Sequence, residues 1–210
     1  MRTLAIETAT TACSVALYDD DRLVAHGHES VGRGHAERLV PMIAALPGGG
    51  RADHILVDCG PGSFTGVRVG LAAARALALG WGATVGGFSS TALAAASAFA
   101  APDAPDMLAV VLIGGHGEYF IHPFAAGPMH ETAPLASLPP DAALAAVGAL
   151  PLVGSAAARL AALRGDRPLG DAAPDARAVC LLPAGFTALT PSPIYGRGPD
   201  ARLPGAAPVH

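Results

Sequence analysis

The stretch Gly60-Pro61-Gly62-Ser63-Phe64-Thr65-Gly66-Val67-Arg68, running on through Val69-Gly70-Leu71-Ala72-Ala73-Ala74-Arg75-Ala76-Leu77-Ala78-Leu79-Gly80, sets a glycine-rich turn directly ahead of a helix of small residues. Pro61 and its flanking glycines make a sharp entry, and the hydroxyl of Ser63 or Thr65 can accept from the free amides of the first helical turn. Inside the helix Gly66, Gly70, Ala74 and Ala78 recur every fourth residue, which lines one face with small side chains and admits a close neighbour. Glycine in a helix interior costs roughly 1 kcal/mol relative to alanine, so that face is expected to pack tightly. Its neighbour is either the chain's own domain or another subunit.

Two familiar chemistries are ruled out by position. A Walker phosphate loop needs Gly-x-x-x-x-Gly-Lys followed by Ser or Thr, but all 13 basic residues of the chain are arginine. The same lack of lysine removes every Schiff-base mechanism. A hydrolase elbow reads Gly-x-Ser-x-Gly, whereas Pro61 and Thr65 stand at the glycine positions around Ser63. Ser63 is read as a helix cap.

The block is similar to the hallmark of the TsaB (YeaZ-like) family, the small bacterial subunit needed to make threonylcarbamoyladenosine in tRNA. Leu4-Ala5-Ile6-Glu7-Thr8-Ala9-Thr10 and Cys13-Ser14-Val15-Ala16-Leu17 resemble the family's opening hairpin, and His35-Ala36-Glu37-Arg38-Leu39-Val40-Pro41-Met42-Ile43 its first helix. Pro193-Ile194-Tyr195-Gly196-Arg197 is similar to its late Pro-x-Tyr-x-Arg segment. The likeness is continuous over residues 1 to 100 and patchy beyond.

Composition agrees with a globular α/β protein. At 210 residues and 51% hydrophobic content the chain can fill a core, although much of that fraction is alanine, beside 26 glycines and 19 prolines. A net charge of −4 and the lack of an arginine cluster argue against a self-sufficient tRNA binder, so a partner would have to hold the RNA. Cys13, Cys59 and Cys180 are far apart and form no Cys-x-x-Cys pair, which points to neither a disulfide framework nor a zinc knuckle. No signal peptide is evident after Met1, and a cytoplasmic protein is expected. Ala76 to Pro102 has no charged residue, but its glycines, serines and Thr91 divide it into helix end, strand and new helix rather than a membrane span.

Periodicity and turn residues predict strands at Thr3 to Glu7, Cys13 to Tyr18 and Arg22 to His28, then a helix from Gly34 to about Leu46 disturbed at Pro41. A strand at His54 to Asp58, the hallmark helix, a strand at Thr84 to Phe88 and a helix to Phe99 capped by Ser89 or Ser90 complete a first lobe, residues 1–101. Residues 102–210 are expected to form a smaller second lobe. Its strands fall at Met107 to Ile113 and Tyr119 to Phe124, its helices near Asp141 to Val147, Ser155 to Leu163 and Asp175 to Leu182. This order, and the family resemblance, imply an actin/Hsp70/sugar-kinase-like (ASKHA) fold with a reduced second lobe.

In full-size members of that superfamily the turn between the first two strands cradles nucleotide phosphates. Glu7-Thr8-Ala9-Thr10-Thr11 keeps the hydroxyls but puts Glu where the family usually has Asp. Glu7, Thr8 and Thr10 are therefore either a vestigial nucleotide turn or a turn satisfied by its own backbone. The catalytic relative TsaD carries a helical His-x-x-x-His metal pair at about this point. Here Leu39 follows four residues after His35, so no metal is expected. His26 and His28 share a strand face without a third ligand, and His116, His122 and His130 read as a chance distribution. In the second lobe, Ile113-Gly114-Gly115-His116 stands where relatives carry Asp-x-Arg, and Gly196 likewise replaces a side chain.

What remains is an interaction surface without catalytic residues or cofactor. In the family, the corresponding helices of TsaB and TsaD pair into an inter-subunit bundle, and TsaB also pairs with itself through that surface. The resemblance carries this role onto His35, Arg38, Leu39, Met42, Ile43 and Leu46 of the first helix and Ser63, Phe64, Gly66, Val67, Gly70, Leu71, Ala74 and Arg75 of the second. Arg68, Ala72 and Arg75 share a different face of the second helix, and periodicity does not say which face turns inward. The implied role is a scaffold that partners TsaD, joined by the TsaE ATPase. The alternatives are a small ATP-dependent kinase or glycoprotease-like hydrolase using Glu7, and a stand-alone homodimer.

Overall fold

Along Arg2–Glu7 (β1) the side chains alternate strictly, Leu4 and Ile6 entering one apolar cluster and Ala5 another on the opposite face. A strand buried on both faces must be covered by two layers, and the computed structural model, which describes residues 1–170 and 173–196, supplies both. Ala12–Asp19 (β2) and Arg22–Ser30 (β3) complete an antiparallel meander. The chain continues through α1 (His35–Ala44), β4 (His54–Asp58), α2 (Phe64–Trp81), β5 (Thr84–Phe88) and α3 (Ser90–Phe99). β4 lies parallel to β1 and β5 parallel to β4, giving the order β3-β2-β1-β4-β5.

The second sheet is built from β6 (Met107–Ile113), β7 (Tyr119–Ala125), β8 (His130–Glu131), β9 (Ala136–Leu138) and β10 (Leu152–Val153). Its order is β10-β6-β7-β8, with β9 also on β7. Helices α4 (Pro140–Val147) and α5 (Ala157–Arg164) cover its outer face through Ala109, Val111 and Ile121. The inner face, with Leu108, Val110, Leu112, Phe120 and Phe124, packs on α3 and on the first sheet's Ala5, Ala16, Leu56 and Phe88. α1 and α2 cover the first sheet's other face.

Cap chemistry accounts for the helix ends. Ser63, not Thr65, caps α2 by accepting from the Gly66 amide at 3.1 Å, and Gly82 ends it in the left-handed region at φ 70°. Ser89, not Ser90, caps α3 through the Ala92 amide at 3.1 Å. Among the described residues no helix is long and apolar enough to cross a membrane.

Two expectations need correction. Asp175 to Leu182 is not an α-helix: Ala176–Leu181 is a 3-10 segment, held by Asp175 at its start and by Tyr18, whose hydroxyl lies 3.0 and 2.8 Å from the carbonyls of Ala176 and Arg177. The tail also does not stay with the second lobe. Leu189 pairs with Gly87 on the edge of β5, and the Ile194 amide donates to the Cys59 carbonyl at 2.7 Å. The first sheet's core is therefore closed by residues from both ends of the chain. Arg197, the last residue of the quoted late segment, lies outside the described residues.

Candidate functional site: the interlobe cleft and the outer helix faces

Glu7 ends β1 fully buried, and its carboxylate Oε1 accepts from the amides of Ala9 and Thr10 at 2.9 and 3.0 Å, with the Ser14 hydroxyl 3.4 Å from Oε2. It closes its own turn and presents no face to solvent. Asp58, at the end of adjacent β4, is equally buried; it accepts from the Gly60 amide at 2.7 Å and the Ser90 hydroxyl at 2.8 Å. Burial, with the Asp58 charge nearby, holds the Glu7 carboxyl well above the usual carboxylate range. Burial likewise pushes Asp58 up to about 7. Thr8 is consumed as well: its hydroxyl donates to the Gly66 carbonyl at 2.8 Å. Of the three residues expected in the turn, Thr10 alone lines the cleft between the lobes.

The small-residue face of α2 finds its neighbour within the chain. A Cβ at Gly66 would run into the Thr8 carbonyl, and one at Gly70 into the Thr8 hydroxyl, with Val57 and Ile6 just behind. Val67, Leu71, Ala74 and Ala78 fill the same core, as do Leu39, Met42, Ile43 and Leu46 of the first helix and its following turn. These side chains thus fill the chain's own core, and the small-residue stripe of α2 is a core-facing one. His35 is a further correction: it is buried, and its Nε2 lies 3.0 Å from the carbonyls of both Thr10 and Ala12, so it carries the proton and ties α1 to the first turn.

Among the expected interface positions, Arg38, Ser63, Phe64 and Arg75 are exposed. Arg38 pairs with Glu29 at 2.6 and 2.8 Å, which holds the Glu29 carboxyl below its usual range, and Arg75 donates to the Pro191 carbonyl at 2.6 Å. Beside them stand residues that the inward stripe obscured: Val40 on α1 and Ala72, Ala76 and Leu79 on α2, with Leu79 89% exposed. Their spacing, three to four residues apart along α2, was the signal for a second, outward stripe.

The histidines divide by environment. His122 is buried, its Nδ1 2.8 Å from the Thr91 hydroxyl, so it links β7 to α3 and has a structural place that its scatter in the sequence does not announce. His28 reaches Asp175 at 3.2 Å. Among the described residues no group of three or more His, Cys, Asp or Glu is placed to hold a metal ion.

Between the lobes lies a cavity of about 1220 Å³. Its walls come from the β1–β2 turn, the start of α2, the β6–β7 turn and the tail at Pro193 to Gly196. Gly196 is where the tail passes the Phe120 ring, since a Cβ there would lie 2.5 Å from it. At the mouth, the Arg68 guanidinium sits 3.3 Å over the Phe64 ring and donates to the Tyr195 hydroxyl at 2.6 Å.

A meander of three strands extended by two parallel strands, helices on both faces and a second sheet across a cleft define an ASKHA-type protein. The comparisons narrow this. A family model described as TsaD, tRNA N6-adenosine threonylcarbamoyltransferase, matches residues 28–124. The chain is 47% identical over 85 residues to the tRNA threonylcarbamoyladenosine biosynthesis protein TsaB of Escherichia coli K12, covering 38% of this chain and 36% of that one. It is 38% identical over 114 residues to the Haemophilus influenzae TsaB, covering 51% and 48% respectively, so the matches span less than half the length of either relative. Among solved structures, YeaZ from Pseudomonas aeruginosa superposes with a TM-score of 0.77 at 27% identity, covering 92% of this chain and 99% of that one. The chain is thus similar to TsaB proteins over 38% to 51% of its sequence and to the YeaZ structure over 92% of it.

Proposed function

We propose that this chain serves threonylcarbamoyladenosine formation in tRNA as a non-catalytic subunit that pairs with a TsaD-type threonylcarbamoyltransferase. The observation that carries the reading is the fate of Glu7 and Thr8. At the position where the fold places nucleotide chemistry, both side chains are buried and spent on the fold itself, while the outer faces of α1 and α2 leave Val40, Phe64 and Leu79 exposed. The likeness to TsaB proteins of Escherichia coli and Haemophilus influenzae supports the pathway. In this proposal the TsaD-type subunit does the chemistry and holds the RNA, a TsaE-type ATPase joins the pair, and the assembly works in the cytoplasm. The same outer faces also serve a homodimer when the partner is absent. Residues 1–101 supply the pairing lobe, completed by the returning tail.

Two measurements test it. Mixed with the TsaD-type protein of the same organism, the chain is expected to form a one-to-one species by light scattering, with or without ATP. In a strain lacking its own TsaB-type gene, expression of the chain is expected to restore threonylcarbamoyladenosine in tRNA by mass spectrometry. Two separate folded species, together with no restoration, would overturn the proposal. Glu7-dependent ATP turnover by the isolated chain would instead establish the enzyme reading.

A further inference from the structure

The interlobe cavity has a charge character opposite to that of the chain around it. The whole sequence carries a formal charge of −4, yet no Asp or Glu is among the described residues that line the cavity. Its arginine, Arg68, is held in place: Nη1 donates to the Phe64 carbonyl at 2.8 Å, Nη2 to the Tyr195 hydroxyl at 2.6 Å, and the group lies over the Phe64 ring. Among the described residues Arg68 has no carboxylate partner. A guanidinium has five N–H donors in a planar fork, and here the fork is oriented while its other donors are unused by the described residues. Phe64 and Tyr195, which flank it, are 69% and 60% exposed, and Ile113 on the opposite rim is 48% exposed. Behind them Val67, Leu112, Phe120 and Ile194 make an apolar interior.

We propose that this cleft receives an acidic peptide segment of another protein, one carboxylate docking on the Arg68 fork and a neighbouring bulky apolar side chain entering the cavity. A carboxylate matches the fork with two parallel hydrogen bonds. An arginine immobilised between aromatic rings loses little further freedom on binding, which is the condition under which such residues dominate an interface. At about 1220 Å³ the cavity exceeds the roughly 300–1,000 Å³ typical of small-ligand pockets, leaving room for backbone as well as a side chain. A nucleoside triphosphate is a poorer match, because it brings several negative charges to a lining with one arginine in a chain that has no lysine. The site shares Phe64 with the helix faces proposed above but does not include Val40 or Leu79, so it concerns a different partner segment from the helix pairing.

The test uses the full chain and an array of end-blocked fluorescent dodecapeptides, each placing one Glu within four residues of one Phe, Leu or Trp, with Gln counterparts, read by fluorescence polarisation. The best Glu peptides are expected to bind saturably and about tenfold more tightly than their Gln forms. Arg68→Ala is expected to erase that preference, Tyr195→Phe to weaken it, and Leu79→Ala, outside the cleft, to leave it unchanged. Thermal melting checks that each variant is folded, and Arg68→Gln provides a second loss of charge should the alanine variant melt early. No saturable binding, equal binding of Glu and Gln peptides, or an undiminished preference in folded Arg68 variants would overturn the proposal. Competitive displacement of the peptide by ATP at lower concentration would reassign the cleft to nucleotide.

Discussion

The Thr8 hydroxyl donates to the Gly66 carbonyl across 2.8 Å, locking the first turn of the sheet against the first turn of α2. Backbones this close leave no space for a Cβ, so Gly66 and Gly70 are glycine because of a contact inside the lobe.

That contact ranks two substitutions. Gly66→Ala would drive its methyl into the rigid Thr8 carbonyl, whereas Gly70→Ala meets a side-chain hydroxyl that can rotate. Both are expected to destabilise by about 1–3 kcal/mol, the former more. Gly70→Leu is expected to unfold the lobe rather than merely separate subunits. Urea denaturation of the isolated chain decides; a Gly66→Ala variant as stable as wild type would refute the packing.

His35→Ala should be felt in stability and not in pairing. The imidazole Nε2–H serves two carbonyls, those of Thr10 and Ala12, and its loss strands them at a cost on the order of 2 kcal/mol. A lowered melting temperature with unchanged partner affinity, measured where the variant is still folded, is the expected pair of results.

Acidity should stabilise the chain locally. The folded-state values of Glu7 and Asp58 are both raised above their unfolded ones, so their contribution is fully present below about pH 4 and is lost as pH rises, through about 7 for Asp58 and through its own raised value for Glu7. Asp58→Asn keeps an acceptor for the Gly60 amide and removes the titrating group. Its stability is expected to fall less between pH 5 and 8 than that of the wild type; parallel pH profiles would contradict the assignment.

The outward stripe makes the opposite prediction. Leu79 and Val40 are 89% and 54% exposed, so Leu79→Asp and Val40→Asp should change the unfolding free energy by no more than about 0.5 kcal/mol. Both are expected to weaken the one-to-one complex at least tenfold. Unchanged mass by light scattering would move the interface elsewhere.

The first lobe was legible because its signals are local: alternation in β1 and β2, hydroxyl caps at Ser63 and Ser89, and glycine punctuation each act within a few residues. The second lobe was less so. β8, β9 and β10 are two or three residues long, too short for alternation to register. The 3-10 segment at Ala176–Leu181 owes its place to Tyr18, a partner 158 residues away that no local pattern announces. For the site, the periodicity of α2 is legible but its direction is not, and the interface role that the resemblance carries onto the small-residue stripe falls on side chains buried within the chain. A helix with small residues on both faces has two plausible insides, and only the position of Thr8 distinguishes them. Glu7 was legible as one of two alternatives, and the burial that separates them is a tertiary property.

The return of the tail to the first sheet has a consequence for biosynthesis. Leu189 seals the β5 edge and Ala176 seats on Tyr18, so the first sheet cannot finish its packing until residues 176 to 189 have been translated. An N-terminal domain ordinarily folds while the rest is still being made. Here that half must wait, its cluster around Ala5, Ala16 and Phe88 still lacking Ala176, Val179 and Leu182 in the interval. Translation pausing or truncation before residue 174 would prolong that exposure and leave a product prone to chaperone capture or aggregation.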